Sequence, residues 1–127
     1  MNYQQISEKL KQLKTEEIIW LIYIGIIVLS LFANDQERKY FINNDLKSKE
    51  KYRKMTILIF VILIFVYLYF LKDSIYSLRK LKPSDSNKKK NLTFLSFVGS
   101  LSIAISGFIF LYIAIMDENL DVEIAFN

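Results

Sequence analysis

Thr93, Ser96, Ser100, Ala104 and Gly107 recur through an otherwise apolar stretch at intervals of three and four residues. On a helix, at about 100° per residue, they share one narrow arc, and Gly99, Ser102 and Ser106 fill the neighbouring arc. One side of that helix is therefore small and weakly polar. Leu101, Ile105 and Phe108 occupy the other side. Small residues let helices approach closely, and serine hydroxyls bond across the contact or back to their own helix. Two uses follow. The face packs tightly against another helix, or a ring of such helices from several copies lines a water-filled path.

The second group with chemical potential is basic. Lys47, Lys49, Lys51, Tyr52, Arg53 and Lys54 crowd one segment, and Lys88, Lys89 and Lys90 another. Their simplest role is topology and attraction to anionic headgroups, worth about 1 kcal/mol per basic residue near the surface. Their functional role is to receive an anionic ligand, a nucleotide or oligonucleotide, or an acidic regulatory protein. Lysines would bind phosphates by charge, and Tyr40 and Tyr52 could stack on bases. No nucleic-acid motif accompanies them, and all three glycines lie in apolar runs, so no Gly-rich phosphate loop exists.

Enzymatic chemistry is poorly supplied. Cysteine and histidine are both absent. That removes a thiol nucleophile, a disulfide, a Cys/His zinc site and a histidine general base. A serine nucleophile would need a lysine partner, and the apolar runs contain none. No enzyme activity, metal or cofactor is expected.

Three uncharged runs must position these groups: residues 18–33, 55–71 and 92–116. The composition is 53% hydrophobic and 24% charged, with a mean hydropathy of +0.25. Both fractions are high because the two classes are segregated along the chain. Runs that are apolar all round fit a lipid solvent, where backbone satisfaction demands helices. As helices the runs would be about 24, 25 and 37 Å long, against a hydrocarbon core of about 30 Å. Trp20, Tyr67 and Tyr69 are expected near the interfaces. The expected fold is an all-α membrane protein with three transmembrane helices and an N-terminal amphipathic helix, assembled as a homo-oligomer in the bilayer.

The remaining segments follow from pattern. In residues 1–17, Tyr3, Ile6, Leu10 and Leu13 form one apolar face of a helix that lies on headgroups or contacts another subunit. This segment lacks the short positive start of a cleaved signal peptide. Residues 34–54 read as a basic connection. The second helix continues to about 82, where Pro83 stops it, and residues 83–91 read as a basic turn. The acidic tail, 117–127, alternates Leu120, Val122, Ile124 and Phe126 like a short strand.

Basic residues favour the cytoplasmic side. With the N-terminus cytoplasmic, ten lie inside and seven outside, so this orientation is expected in the cell membrane. The margin is narrow. A first run that lies within one leaflet, or enters and returns, without crossing, would instead place both basic connections on the cytoplasmic side.

No Asp, Glu, Lys, Arg or His lies inside a run, which argues against proton relays, voltage sensors and ion-coupled carriers. Two function classes remain. The first is a small oligomeric membrane effector that forms a pore or disrupts the bilayer, as a toxin, a holin-like protein or the killing component of antiviral defence does. The second is a non-conducting protein, of bacteriocin-immunity type or an accessory subunit of a membrane complex. Abundant Ile, Lys and Asn fits an AT-rich bacterial genome.

Overall fold

The computed structural model describes residues 2–124, and these form three helices: α1 (Tyr3–Asn43), α2 (Leu46–Arg79) and α3 (Asn87–Met116). With 41, 34 and 30 residues they are about 62, 51 and 45 Å long. Each is long and apolar enough to cross a membrane. Among the described residues there is no strand.

The boundaries follow from capping. Asn2 and Gln5 close a reciprocal capping box at 2.8 and 3.0 Å and start α1. Nothing interrupts α1 until Asn44, whose left-handed backbone (φ 53°) ends it. The N-terminal segment is thus the first part of a helix that runs on into the apolar stretch, not a separate element. Asp45 then caps α2 by accepting the Lys47 and Ser48 amides and the Ser48 hydroxyl.

The basic connection expected over 34–54 shrinks to Asn44 and Asp45. The residues either side are helical because charge spacing supports them. Asp35 pairs with Arg38 and Lys39, and Glu50 with Lys54, all three or four residues apart. Likewise the basic turn expected over 83–91 contracts. α2 stops at Arg79, Asp85 accepts the Lys82 amide at 2.8 Å, and Ser86 caps α3 through the Lys89 amide at 3.1 Å. Lys88, Lys89 and Lys90 therefore form the first turn of α3.

α2 is the centre. α1 and α3 pack antiparallel on it, and their backbones do not approach one another. The buried and half-buried residues explain the geometry. Tyr52, Thr56, Ile59, Leu63 and Val66 on α2 are spaced alternately by four and three, as are Ser100, Ala104, Gly107, Leu111 and Ala114 on α3. On α1 the buried positions Ile19, Ile26 and Ala33 are seven apart. A 3.5-residue period is the seam of left-handed helix packing. Ile26, Ile59, Phe60, Leu63, Ala114 and Ile124 form the core, and the Phe60 and Phe110 rings meet at 5.8 Å.

α1 lies beside α2 from Gln12, bonded to Asp73, to Glu37, bonded to Tyr52. α1 is one continuous helix along this length, without the turn that an enter-and-return path needs. Only 17% of the most apolar window of α1 and of α3 is buried within the chain. The remaining surface, including Leu21, Ile24, Leu31, Phe32, Leu101, Ile105 and Phe108, is exposed. Burying such surface in lipid accounts for its composition, and the fold is compatible with a multi-pass membrane protein.

The tail is not a strand where it is described. With no sheet edge available, its amides turn to a side chain. Asp117 accepts the Asp121 and Val122 amides at 3.0 and 2.8 Å, Leu120 adopts φ 57°, and the chain folds back to bury Ile124 in the core. Phe126 lies outside the described residues.

Candidate functional site

Because α1 and α3 stand apart, α2 presents a face to the space between them. Tyr67, Phe70, Ser74 and Ser77 occupy that face at intervals of three and four. They line a cavity of about 290 Å³, joined by Asp73 of α2, Tyr23 of α1, and Ser96, Ser100 and Ile103 of α3. Tyr67, expected at an interface, instead turns inward and lies on Gly107 of α3, where a Cβ would come within 2.9 Å of its ring.

Asp73 sits where this cavity meets a wider groove of about 500 Å³. The protruding ends of α1 and α2 form that groove, and Asp73 and Ser77 line both spaces. Asp73 Oδ2 accepts a hydrogen bond from Gln12 Nε2 at 3.0 Å. Lys80 lies across the groove, 3.6 Å from Glu8 and 4.3 Å above the Tyr76 ring. The Tyr76 hydroxyl, and then the Glu8 carboxylate, hold the Lys80 pKa above its usual value. Polar space thus runs from one end of the molecule into the apolar layer.

Several hydroxyls here are occupied by their own helix: Ser74 donates to Leu71 O, Ser77 to Asp73 O and Thr93 to Lys89 O. Ser96 and Ser100, which line the cavity, have no such bond among the described residues, so their hydroxyls are available to a ligand or water.

The opposite end is closed. The tail covers Tyr52, Arg53 and Thr56, and Glu37 lies against the tail in a smaller cavity of about 220 Å³. Burial pushes the Glu37 carboxyl above its ordinary pKa, partly offset by the Tyr52 hydroxyl, and the nearby Glu123 adds to the rise. Asp117 is held below the ordinary range by the Val122 and Asp121 amides.

The residues singled out in the sequence are divided by this arrangement. Ala104 and Gly107 are buried against α2, with Thr93 and Ser100 partly so, and Ser96 opens to the cavity. Gly99, Ser102 and Ser106 are exposed on the neighbouring arc, and Ser102 donates to Val98 O. The two basic clusters lie at opposite ends of the antiparallel helices and form no common site. Tyr52 is only 7% exposed, so it offers no ring for stacking on a base. Arg53 donates to Ile115 O at 3.0 Å, Lys54 pairs with Glu50, and Lys49 lies 5.3 Å over Tyr40. At the other end Lys89 pairs with Asp85 and Lys90 donates to Pro83 O, beside Lys88. Lys47, Lys51 and Lys88 are exposed.

Asp73 is the residue that reading by runs misses, because it lies two positions beyond the uncharged stretch. The signal was present in the spacing of Tyr67, Phe70, Ser74 and Ser77, which carries one polar-aromatic face across that boundary. Comparison of the chain with protein-family models, curated proteins and solved structures finds no match.

Proposed function

We propose that the chain is a small, non-enzymatic membrane effector that assembles with copies of itself and permeabilises the bilayer. The observation that supports this reading is the cavity lined by Ser96 and Ser100, which leads from an aqueous groove into the apolar layer. A polar cleft bordered by two helices that do not meet is costly to leave against hydrocarbon. Closing it with another copy would satisfy its hydroxyls and extend the polar space. The exposed arc of Gly99, Ser102 and Ser106 on α3 is small enough for that close approach.

In the cell membrane, ten basic residues at the end carrying the N-terminus favour that end as cytoplasmic. Lys88, Lys89 and Lys90 would there meet anionic headgroups, a phosphate-bearing ligand or an acidic regulatory protein. Toxins, holin-like proteins and killing components of antiviral defence are the classes of this size that act so.

The second reading is a non-conducting accessory or immunity-type protein. It is favoured by Ala104 and Gly107, whose small faces are already used against α2. Ion flux from vesicles containing the full chain separates the readings. The effector reading expects flux that Ser96→Leu with Ser100→Leu abolishes while crosslinked assemblies persist. Tight vesicles containing crosslinkable oligomers of the unaltered chain would reject it.

A further inference from the structure

We propose that the cavity between the three helices binds a compact organic cation, an amine or quaternary ammonium group, with Asp73 as its countercharge. Among the described residues Asp73 is the only charged side chain lining the inner cavity. Its one recorded partner is neutral, the Gln12 amide. Among the described residues no lysine or arginine forms an ion pair with it, although this end of the molecule is rich in lysine. Lys9, Lys11 and Lys80 line the same groove; Lys80 is engaged by Glu8 and Tyr76, and among the described residues none of the three pairs with Asp73. A carboxylate at the edge of an apolar layer, without a cationic partner, favours an incoming positive charge.

The walls select the kind of cation. Tyr23, Tyr67 and Phe70 bring three aromatic rings to the same space. Ring faces attract alkylammonium groups, most strongly where water is excluded. Gly107 fixes the position of Tyr67 by leaving no room between its ring and α3. Ser96 and Ser100 supply hydroxyls that accept from an N–H or orient water around a quaternary group. One carboxylate, with neutral amide and hydroxyl oxygens beside it, supplies too little negative charge for a calcium-like ion, whose sites of about six to eight oxygens draw on several carboxylates. An anionic ligand would meet Asp73 with the same charge. At about 290 Å³ the space suits a small ligand near the lower end of ordinary binding cavities.

The site has two entrances. A free amine enters through the groove at Asp73, whereas the ammonium headgroup of an aminophospholipid enters sideways between α1 and α3. The ligand chemistry is the same from either source. This proposal needs neither assembly nor conduction, so it can fail or stand independently of the effector reading.

The test uses the full chain in maltoside micelles, which contain no amine, with radiolabelled tetraethylammonium as probe in equilibrium dialysis. Binding should saturate. Asp73→Asn, which keeps an oxygen for Gln12, should weaken it about tenfold or more through loss of the charge. Ser100→Leu should weaken it by filling the cavity while Asp73 remains. Asp35→Asn, on α1 at the far end, should leave it unchanged. Added phosphatidylethanolamine displaces the probe if the headgroup is the natural occupant and leaves it bound if a free amine is. Circular dichroism melts identify any variant that has unfolded, and Asp73→Glu then serves as the charge-retaining comparison. Absence of saturable binding, or equal affinity in folded Asp73→Asn, would overturn the proposal.

Discussion

Gly107 of α3 lies directly against the ring of Tyr67 on α2: a Cβ placed on Gly107 would stand 2.9 Å from Cδ2 and 3.2 Å from Cε2 of that ring. The contact fixes how closely α3 approaches α2 and where the aromatic wall of the cavity stands. Gly99 is the same residue type on the same helix, yet has nothing within 4 Å of its added Cβ. The two glycines therefore predict opposite outcomes. Gly107→Ala should destabilise by about 1–3 kcal/mol, because the ring and Ile64 must shift to admit the methyl. Gly99→Ala should be neutral or stabilise by up to about 1 kcal/mol through helix propensity. Unfolding of the two variants in mixed micelles measures both, and equal losses would contradict the distinction.

Thr56 is 2% exposed, and its hydroxyl has no hydrogen-bond partner among the described residues. Burying an unbonded hydroxyl is unfavourable, whereas a methyl of nearly the same shape carries no such penalty. Thr56→Val should raise stability by about 1 kcal/mol in the same assay. A loss of that size would mean that the hydroxyl is bonded after all. Thr56→Ala is the companion measurement: it should be worse than Thr56→Val because it also leaves a cavity.

The sequence made the three helices legible because segregation of charge is a property of runs, and runs are visible without neighbours. It also placed Ala104 and Gly107 on one face of α3, where they pack on α2. What it obscured were boundaries outside the apolar stretches. The segment around Lys47 looked like a loop because it is charged, yet charge at three- and four-residue spacing sustains a helix in water, as Asp35 with Lys39 shows at 3.3 Å. The separation of Lys47 from Lys88, by contrast, was legible, because three crossings put successive basic connections at opposite ends. The spacing of Tyr67, Phe70, Ser74 and Ser77 showed that a polar-aromatic face continues past the apolar run, but the gap between α1 and α3 that makes Asp73 line a cavity is not encoded in any local pattern.

The antiparallel order also makes orientation testable. Lys47 and Lys88 are both exposed and lie at opposite ends of the bundle. With the N-terminus cytoplasmic, an impermeant amine-reactive reagent applied to intact cells should modify Lys47 and spare Lys88. Permeabilised cells should show both labelled. The reverse pattern would invert the assignment, and protection of both in intact cells would contradict a three-span crossing. Mass spectrometry of the peptides containing the two lysines provides the readout.

Two carboxyls at the docked tail, Asp117 at its start and Glu37 facing it from α1, respond to pH with opposite signs. Asp117 has its pKa lowered by the Val122 and Asp121 amides that it accepts when the tail is folded back. A lowered folded-state pKa gives stability that is present above the ordinary aspartate value and is lost as pH falls through the lowered one. Glu37 is the reverse case. Its pKa is raised by burial and, to a smaller degree, by Glu123. Its protonated form is therefore favoured in the docked state, and that contribution fades as pH rises through the raised value. Acidification from neutral pH should first tighten the tail, as Glu37 takes up its proton, and then release it once Asp117 protonates below the ordinary aspartate range. Hydrogen exchange at the Asp121 and Val122 amides, corrected for the intrinsic pH dependence of exchange, should pass through maximal protection between those limits. Glu37→Gln should remove the tightening limb and leave the acid release intact, whereas Asp117→Asn should remove the acid release. Protection that falls steadily from neutral pH downward in the unaltered chain would show that Glu37 does not oppose the tail.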